Sequence, residues 1–199
     1  MTVRTPNGTR PRGTARRDAL LDAVLRVVAE VGVDAVTHRR VAEAAGLPLA
    51  STTYWFESKE QMLTAALERA ADRDIERLDT FLGEIPARAA DPLGLAVRAI
   101  LGPNEDSGQT SRGWLLATYT LMLEAARQPA LREVTMRWTE AYMEALPPLL
   151  AAAGSRHARS DAALLLAAAD GLLIDQLASD DTSDLAPRLR RLADALVNA

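Results

Sequence analysis

Few side chains in this sequence can do chemistry, and their types narrow the choices. Cysteine is absent, and histidine occurs twice, as His38 and His157, far apart in the chain. That leaves no thiol chemistry, no disulfide framework and no HExxH-type metal spacing. Neither GLPLAS nor GPNEDSG has the pattern of a phosphate-binding loop. Asp180, Asp181 and Asp184 could be read as cation ligands, but a solvated loop and helix cap explains them better. No cofactor or metal is expected, and an enzyme is the weakest reading. What remains is the chemistry of phosphates and base edges, carried by Arg39, Arg40 and the hydroxyl-rich run Ser51, Thr52, Thr53, Tyr54. Arginine grips guanine bidentately, and hydroxyls donate to phosphate oxygens.

The stretch THRRVAEAAGLPLASTTYWFESKE, residues 37–60, positions those groups. Thr37 can cap a first short helix, whose small apolar face is Val41, Ala44 and Ala45. Gly46 can end it in the left-handed region, and Leu47 plugs the angle to the next helix. A second helix runs to Trp55 from Pro48 or Leu49, with small residues that allow close approach to another surface. Ser58 and Gln61 have capping-box spacing for a third helix. Two short helices about a glycine turn make a helix-turn-helix, although a plain helical corner has the same outline.

This stretch resembles the DNA-binding domain of TetR-type transcriptional regulators. The resemblance rests on AVTHRRVAEAAGLP, the Trp55–Phe56 pair and Ser58-Lys59-Glu60 opening a long helix, and covers roughly residues 14–65. It implies DNA contacts from Thr37, Ala50, Ser51, Tyr54, Trp55 and Lys59, beside Arg39, Arg40 and Thr52. Tyr54 and Lys59 are expected at phosphates, Trp55 equally at DNA or in packing, and Phe56 in the core. The sequence departs from the family at Pro48, Leu49, Ala50, Thr53 and Glu57. Leu49 replaces a frequent lysine and is expected to touch a thymine methyl instead.

The net charge is −4, but residues 1–60 carry +2 and the remainder −6. Arg4, Arg10, Arg12, Arg16 and Arg17 make the first 17 residues a basic arm without an acid. A basic arm on a near-neutral head and an acidic body suits DNA held by one end. Leu and Ala dominate, so the expected fold class is all-α: an N-terminal three-helix DNA-binding domain with a helix-turn-helix, plus a C-terminal helical ligand-binding and dimerisation domain, about nine helices in all. Residues 1–13 form a flexible arm, 14–60 the DNA-binding domain, and 61–199 the effector-binding and dimerisation domain. No apolar run approaches the roughly 20 residues of a membrane span. The N-terminus lacks a signal-peptide core, so a cytoplasmic location is expected.

In order, helices are expected over about 14–31, 37–45, 49–55, 59–82, 92–101, 112–127, 129–153, 160–179 and from Asp184 to the end. The first has a buried stripe of Leu20, Leu21, Val24, Val27, Val28 and Val31. The fourth should link the two domains. Pro147 and Pro148 should kink or split the seventh, since each removes a backbone donor.

The resemblance also implies a ligand pocket in the larger domain. Its candidate walls are Trp114, Tyr119, Met122, Trp138, Tyr142 and Met143, with Glu124, Asp170 and Gln176 as polar candidates. Singly, each fits an ordinary core; together they hold two of the three tryptophans and two of the three tyrosines. Helices 8 and 9 have more apolar surface than one subunit can hide. Leu164, Ala168, Gly171, Leu172, Asp175, Leu189, Leu192 and Leu196 are the candidate homodimer interface, forming a four-helix bundle. The sequence therefore reads as a dimeric, effector-responsive regulator, most simply a repressor. Its partners would be a double-stranded DNA operator and a small molecule of unknown identity, with no membrane. A helical protein-interaction module is the alternative.

Overall fold

A computed structural model describes residues 12–86, 88–102, 112–179 and 184–198. Most of the basic arm, residues 103–111, Asp180 and Asp181 lie outside the described residues. Within them the chain forms nine α-helices and one 3-10 turn, with no strand. The helices are α1 (Arg12–Val31), α2 (His38–Ala45), α3 (Leu49–Trp55), α4 (Lys59–Gly83), α5 (Pro92–Leu101), α6 (Arg112–Glu124), α7 (Pro129–Ala152), α8 (Ala158–Ser179) and α9 (Ala186–Val197). The 3-10 turn, Val33–Ala35, was not foreseen.

Local chemistry sets the ends of the first elements. The Arg40 N–H donates to Thr37 Oγ1 at 3.2 Å, closing the first turn of α2. At the other end Gly46 takes φ 66 and ψ 30, a left-handed cap. Gly46 N–H donates to Glu43 O and Leu47 N–H to Ala42 O, the paired bonds of a Schellman motif. Arg26 donates to Ala44 O at 2.7 Å, placing a cation at that same helix end. Ser58 caps α4 through the Gln61 N–H at 3.2 Å. Gln61 Oε1 reaches back to the N–H of Glu57 rather than of Ser58, one residue beyond the usual box.

The small domain packs Leu20, Leu21, Val24 and Val28 of α1 against Val41, Phe56, Met62, Leu63 and Leu67, all buried. Two expectations fail here. Val31 is 54% exposed, because the stripe of α1 drifts out of the core before its last turn. Ala44 is exposed, and Ala42 takes the inward position on α2.

Helix α4 continues into the larger domain, where Leu78 is buried and Ile75, Phe81 and Leu82 are half-buried. Salt bridges hold it in place. Arg69 pairs with both Asp18 and Asp22 of α1, and Arg73 pairs with Asp22 at 3.2 Å. Arg137 of α7 reaches Asp72 at 2.7 Å. Helix α1 also packs on α6, with Gly113 close beside Ala29, so the small domain is seated by two helices. Asp91 caps α5 and accepts from Arg190 of α9 at 2.7 Å, which fixes α9 across the N-terminus of α5.

Helix α7 runs unbroken through Pro147 and Pro148. The bond Pro147 cannot make leaves Met143 O without its usual donor, and Arg159 Nη1 lies 3.4 Å from that oxygen. Leu146 and Leu150, both fully buried, anchor the helix on either side. Asp184 meets the Ala186 N–H at 2.9 Å, although Leu185 rather than Asp184 holds the cap position of α9. By length and composition alone, α8 could cross a membrane, with mean hydropathy 1.5. The sequence reading missed it because Asp161, Asp170 and Asp175 interrupt the apolar run.

Packing at two positions separates the core of α4 from the frayed stripe of α1. Leu67→Ala should cost about 2–5 kcal/mol of stability, as a buried leucine lost to a cavity does. Val31→Ala should stay within about 0.5 kcal/mol. Thermal unfolding of both variants checks this, and a reversed ranking would place the core elsewhere.

Candidate functional site

The α2–α3 corner presents one polar surface. Arg39 has 84% of its side chain exposed, with Nε 2.9 Å from Glu43 one turn on. That pairing holds the Arg39 guanidinium above its ordinary value, through the hydrogen bond first and the charge of Glu43 second. Thr37, Arg40 and Ala50 are exposed, Ser51 is half-buried, Leu49 is 50% exposed and Tyr54 78% exposed. Tyr54 stands edge-on to Trp55, ring centres 5.0 Å apart. Trp55 is half-buried against the core and touches Gly13, so packing claims much of its surface. Lys59 lies 3.6 Å from Asp34 of the 3-10 turn, an ion pair any phosphate would compete with.

Thr52 does not belong to this surface. It is fully buried, its hydroxyl 2.8 Å from Leu49 O and 3.4 Å from His38 O. It braces α3 against α2, a role the hydroxyl-rich run disguised. The rest fits a helix offered to a groove, with arginine, leucine and tyrosine side chains outward and small residues between them.

In the larger domain α4, α5, α6, α7 and α8 surround a cavity of about 120 Å³. Trp114, Tyr119, Met122, Trp138, Tyr142 and Asp170 all line it. Met143 does not; it packs among partly buried core residues one position past Tyr142, turned away from the wall. Glu124 and Gln176 are also not among the lining residues. Trp114 and Trp138 meet edge to face, ring centres 6.1 Å apart.

Two carboxylates in the wall are treated differently. Asp74 is fully engaged: Oδ1 accepts from Arg77 Nε at 2.8 Å, while Oδ2 accepts from Trp138 Nε1 at 2.8 Å and Tyr142 Oη at 2.6 Å. Arg77 Nη2 donates to Tyr142 Oη at 2.9 Å and to Ala99 O at 3.0 Å. Burial opposes the Arg77 charge, but Tyr142 and Asp74 outweigh it and hold the guanidinium above its ordinary value. Burial, then Asp74, pushes the Tyr142 hydroxyl far up, so it remains a donor. Gly102 takes φ 75 where the chain passes the Arg77 guanidinium, a conformation other residues rarely adopt.

Asp170, by contrast, accepts only from Tyr119 Oη among the described residues, at 2.9 Å. Burial raises its carboxyl above the usual carboxylate range, with the Tyr119 bond acting the other way. Burial, then Asp170, likewise raises the Tyr119 hydroxyl. Sequence reading missed Asp74 and Arg77. The available signal was the spacing Ala70, Asp74, Arg77, Phe81, which sets two charges on the apolar stripe of α4.

Along the outer side of α8, Leu164 is 53% and Ile174 45% exposed, beside exposed Gly171 and Asp175 and half-buried Ala168 and Leu172. Leu192 and Leu196 of α9 are half-buried. Leu189 is not available to a second subunit: it is fully buried within its own chain, where α9 packs on α5.

Known proteins share this arrangement. Residues 20–66 match the family model described as bacterial regulatory proteins, tetR family. Residues 86–199 match the model described as tetracyclin repressor-like, C-terminal domain. The HTH-type nicotine-responsive transcriptional repressor HdnoR of Paenarthrobacter nicotinovorans is 28% identical over 92% of this chain and 93% of its own. The HTH-type transcriptional regulator BetI of Escherichia coli is 30% identical, in a match spanning 58% of each chain. The multidrug binding protein EbrR, solved in complex with ethidium, superposes with a TM-score of 0.63, 33% identity and coverage of 91% of this chain and 98% of that one. The two matched models take in the α2–α3 corner and four of the five helices around the cavity, and the chain belongs to the TetR family of helix-turn-helix transcriptional regulators.

Proposed function

We propose that the chain is a repressor that binds a palindromic operator as a two-fold dimer and leaves it when a cationic small molecule enters the cavity. Helix α3 enters the major groove with Leu49, Ala50 and Tyr54 outward, Arg39 of α2 reaches in beside it, and Thr37, Arg40, Ser51, Trp55 and Lys59 lie around them. Helices α8 and α9 join the protomers through Leu164, Ala168, Gly171, Leu172, Asp175, Leu192 and Leu196. The dimer fixes the separation of the two heads and hence of the half-sites. An effector releases DNA only if it binds the non-DNA geometry better. A DNA-regulating protein of this kind works in the cytoplasm, and no turnover is assigned to the cavity.

One observation carries the cationic reading. Among the described cavity residues Asp74 and Arg77 offset each other, and Asp170 is left without a cationic partner. Around it stand Tyr119 and the Trp114–Trp138 pair, whose ring faces attract a positive charge. HdnoR is nicotine-responsive and EbrR was solved with ethidium, an amine and a quaternary cation respectively.

Three outcomes are expected. Fluorescence anisotropy on operator fragments selected from genomic DNA should show Arg39→Ala losing about 1–3 kcal/mol if it reads a base. Tyr54→Phe should weaken binding about uniformly across sequences and leave the salt slope unchanged, since the hydroxyl carries no charge. Glu43→Gln, which frees Arg39, should strengthen binding; equal affinity in all four proteins would remove α2–α3 from the interface.

Titration with ethidium should show affinity rising with pH through the raised pKa of Asp170, because only the ionised carboxylate attracts the cation. Asp170→Asn should flatten that profile and weaken binding by about tenfold or more. The same substitution should raise the thermal midpoint at neutral pH. A carboxyl raised in the folded state keeps its proton to higher pH than in the unfolded chain, so its stability contribution falls as pH climbs through that interval. Unchanged ethidium affinity in Asp170→Asn would reject the cationic reading.

Leu164→Glu with Leu172→Glu should yield monomers in sedimentation analysis, with weakened operator binding. A persistent dimer would move the interface off α8.

A further inference from the structure

We propose that the effector carries a hydrogen-bond acceptor oxygen as well as a positive charge, and that Arg77 Nη1 donates to that oxygen. This rests on the cationic reading of the cavity and adds a second pole to it. Arg77 is committed on one side and bare on the other. Nε is held by Asp74 at 2.8 Å, and Nη2 by Ala99 O at 3.0 Å and Tyr142 Oη at 2.9 Å. Nη1 is buried and, among the described residues, has no hydrogen-bond partner. The three bonds fix the plane of the guanidinium, so the side chain cannot turn to satisfy Nη1 without giving up others.

A buried charged donor left unpaired is costly, and one acceptor recovers that cost. Arg77 is part of the cavity wall, but Nη1 itself is covered, with Gly102 beside it, so a ligand reaches it by displacing that cover and then supplies the acceptor. The chemistry of that acceptor follows from the charge already present. Asp74 balances the guanidinium, so a neutral carbonyl, ester or ether oxygen suffices and a second carboxylate is not required. The positive end of the same ligand is drawn to Asp170 on α8, with aromatic wall between. The cavity therefore selects an amine with a carbonyl-type oxygen at a distance from it, over an equally long amine with only hydrocarbon there. Sites that hydrogen-bond a ligand group discriminate strongly against analogues lacking it.

The test uses the full-length protein and three probes of matched length. 2-(Dimethylamino)ethyl benzoate has both the cation and the carbonyl. N,N-dimethyl-4-phenylbutylamine has the cation alone, and 3,3-dimethylbutyl benzoate the carbonyl alone. Binding is read by calorimetry and by quenching of tryptophan fluorescence, since Trp114 and Trp138 line the cavity. The ester amine should bind about tenfold or more tighter than the alkyl amine. In Arg77→Met that ratio should fall to near one, with the fold checked by thermal unfolding. Equal affinity of the two amines for the wild-type protein would overturn the acceptor pole while leaving the cationic reading intact. A neutral ester as tight as the ester amine would overturn the cationic reading instead. An ester preference surviving in folded Arg77→Met would overturn the assignment to Arg77. Binding by none of the three would overturn both.

Discussion

A single half-buried carboxylate, Asp74, ties the linking helix α4 to α7 and, through Arg77, to α5. It accepts from Arg77 on its own helix and from Trp138 and Tyr142 on α7, and Arg77 extends the network to the Ala99 carbonyl on α5. Three helices thus meet at one acceptor pair. Burying an ion pair gains little over apolar packing, but removing one member strands the other. Such a network specifies an arrangement more than it stabilises one. It sits on α4, whose first turn is capped by Ser58 just beyond α3 and whose middle is gripped by Asp18 and Asp22 of α1. The first half of α4 is thus tied to the smaller domain, and Asp74 ties its second half to α7. The contact of α1 with α6 supplies a second tie.

The DNA-facing corner and the cavity were legible to different degrees. Caps are local, so Thr37, Gly46, Ser58 and the Asp91-Pro92 step announced their helix ends in the sequence, and the structure puts bonds at each of them. Which face of a helix turns inward is decided by distant partners. That is why Thr52, one hydroxyl among four, turned out to be a brace, and why Leu189 and Val31 exchanged the places expected of them. The aromatic wall was visible because tryptophan and tyrosine are scarce here and cluster. Asp74 and Arg77 were not, since a charged pair three residues apart on a long helix usually faces water. The proline pair misled for a related reason. Proline removes a donor wherever it stands, but whether the orphaned carbonyl finds another depends on Arg159, sixteen residues later.

Two carboxylates line one cavity, and the protein holds them differently. Asp74 has three donors; Asp170 has the Tyr119 hydroxyl and a wall that disfavours its charge. Replacing Asp170 by a neutral residue would remove that tension, so the tension needs a reason beyond stability. Sites whose ligands complete an unfinished polar arrangement hold some of the binding free energy in reserve as strain of the empty form. Arg77 Nη1, without a partner among the described residues, fits the same pattern on the α4 side of the cavity. If the ligand completes both ends, it bridges α8, the helix proposed to join the protomers, to α4, which runs on from the proposed DNA-reading corner. Occupancy then alters the relation between dimer contact and operator contact without touching either, because both helices end where the ligand does not reach. The sign of that effect is set by which spacing of the heads lets Asp170 and Arg77 be satisfied together.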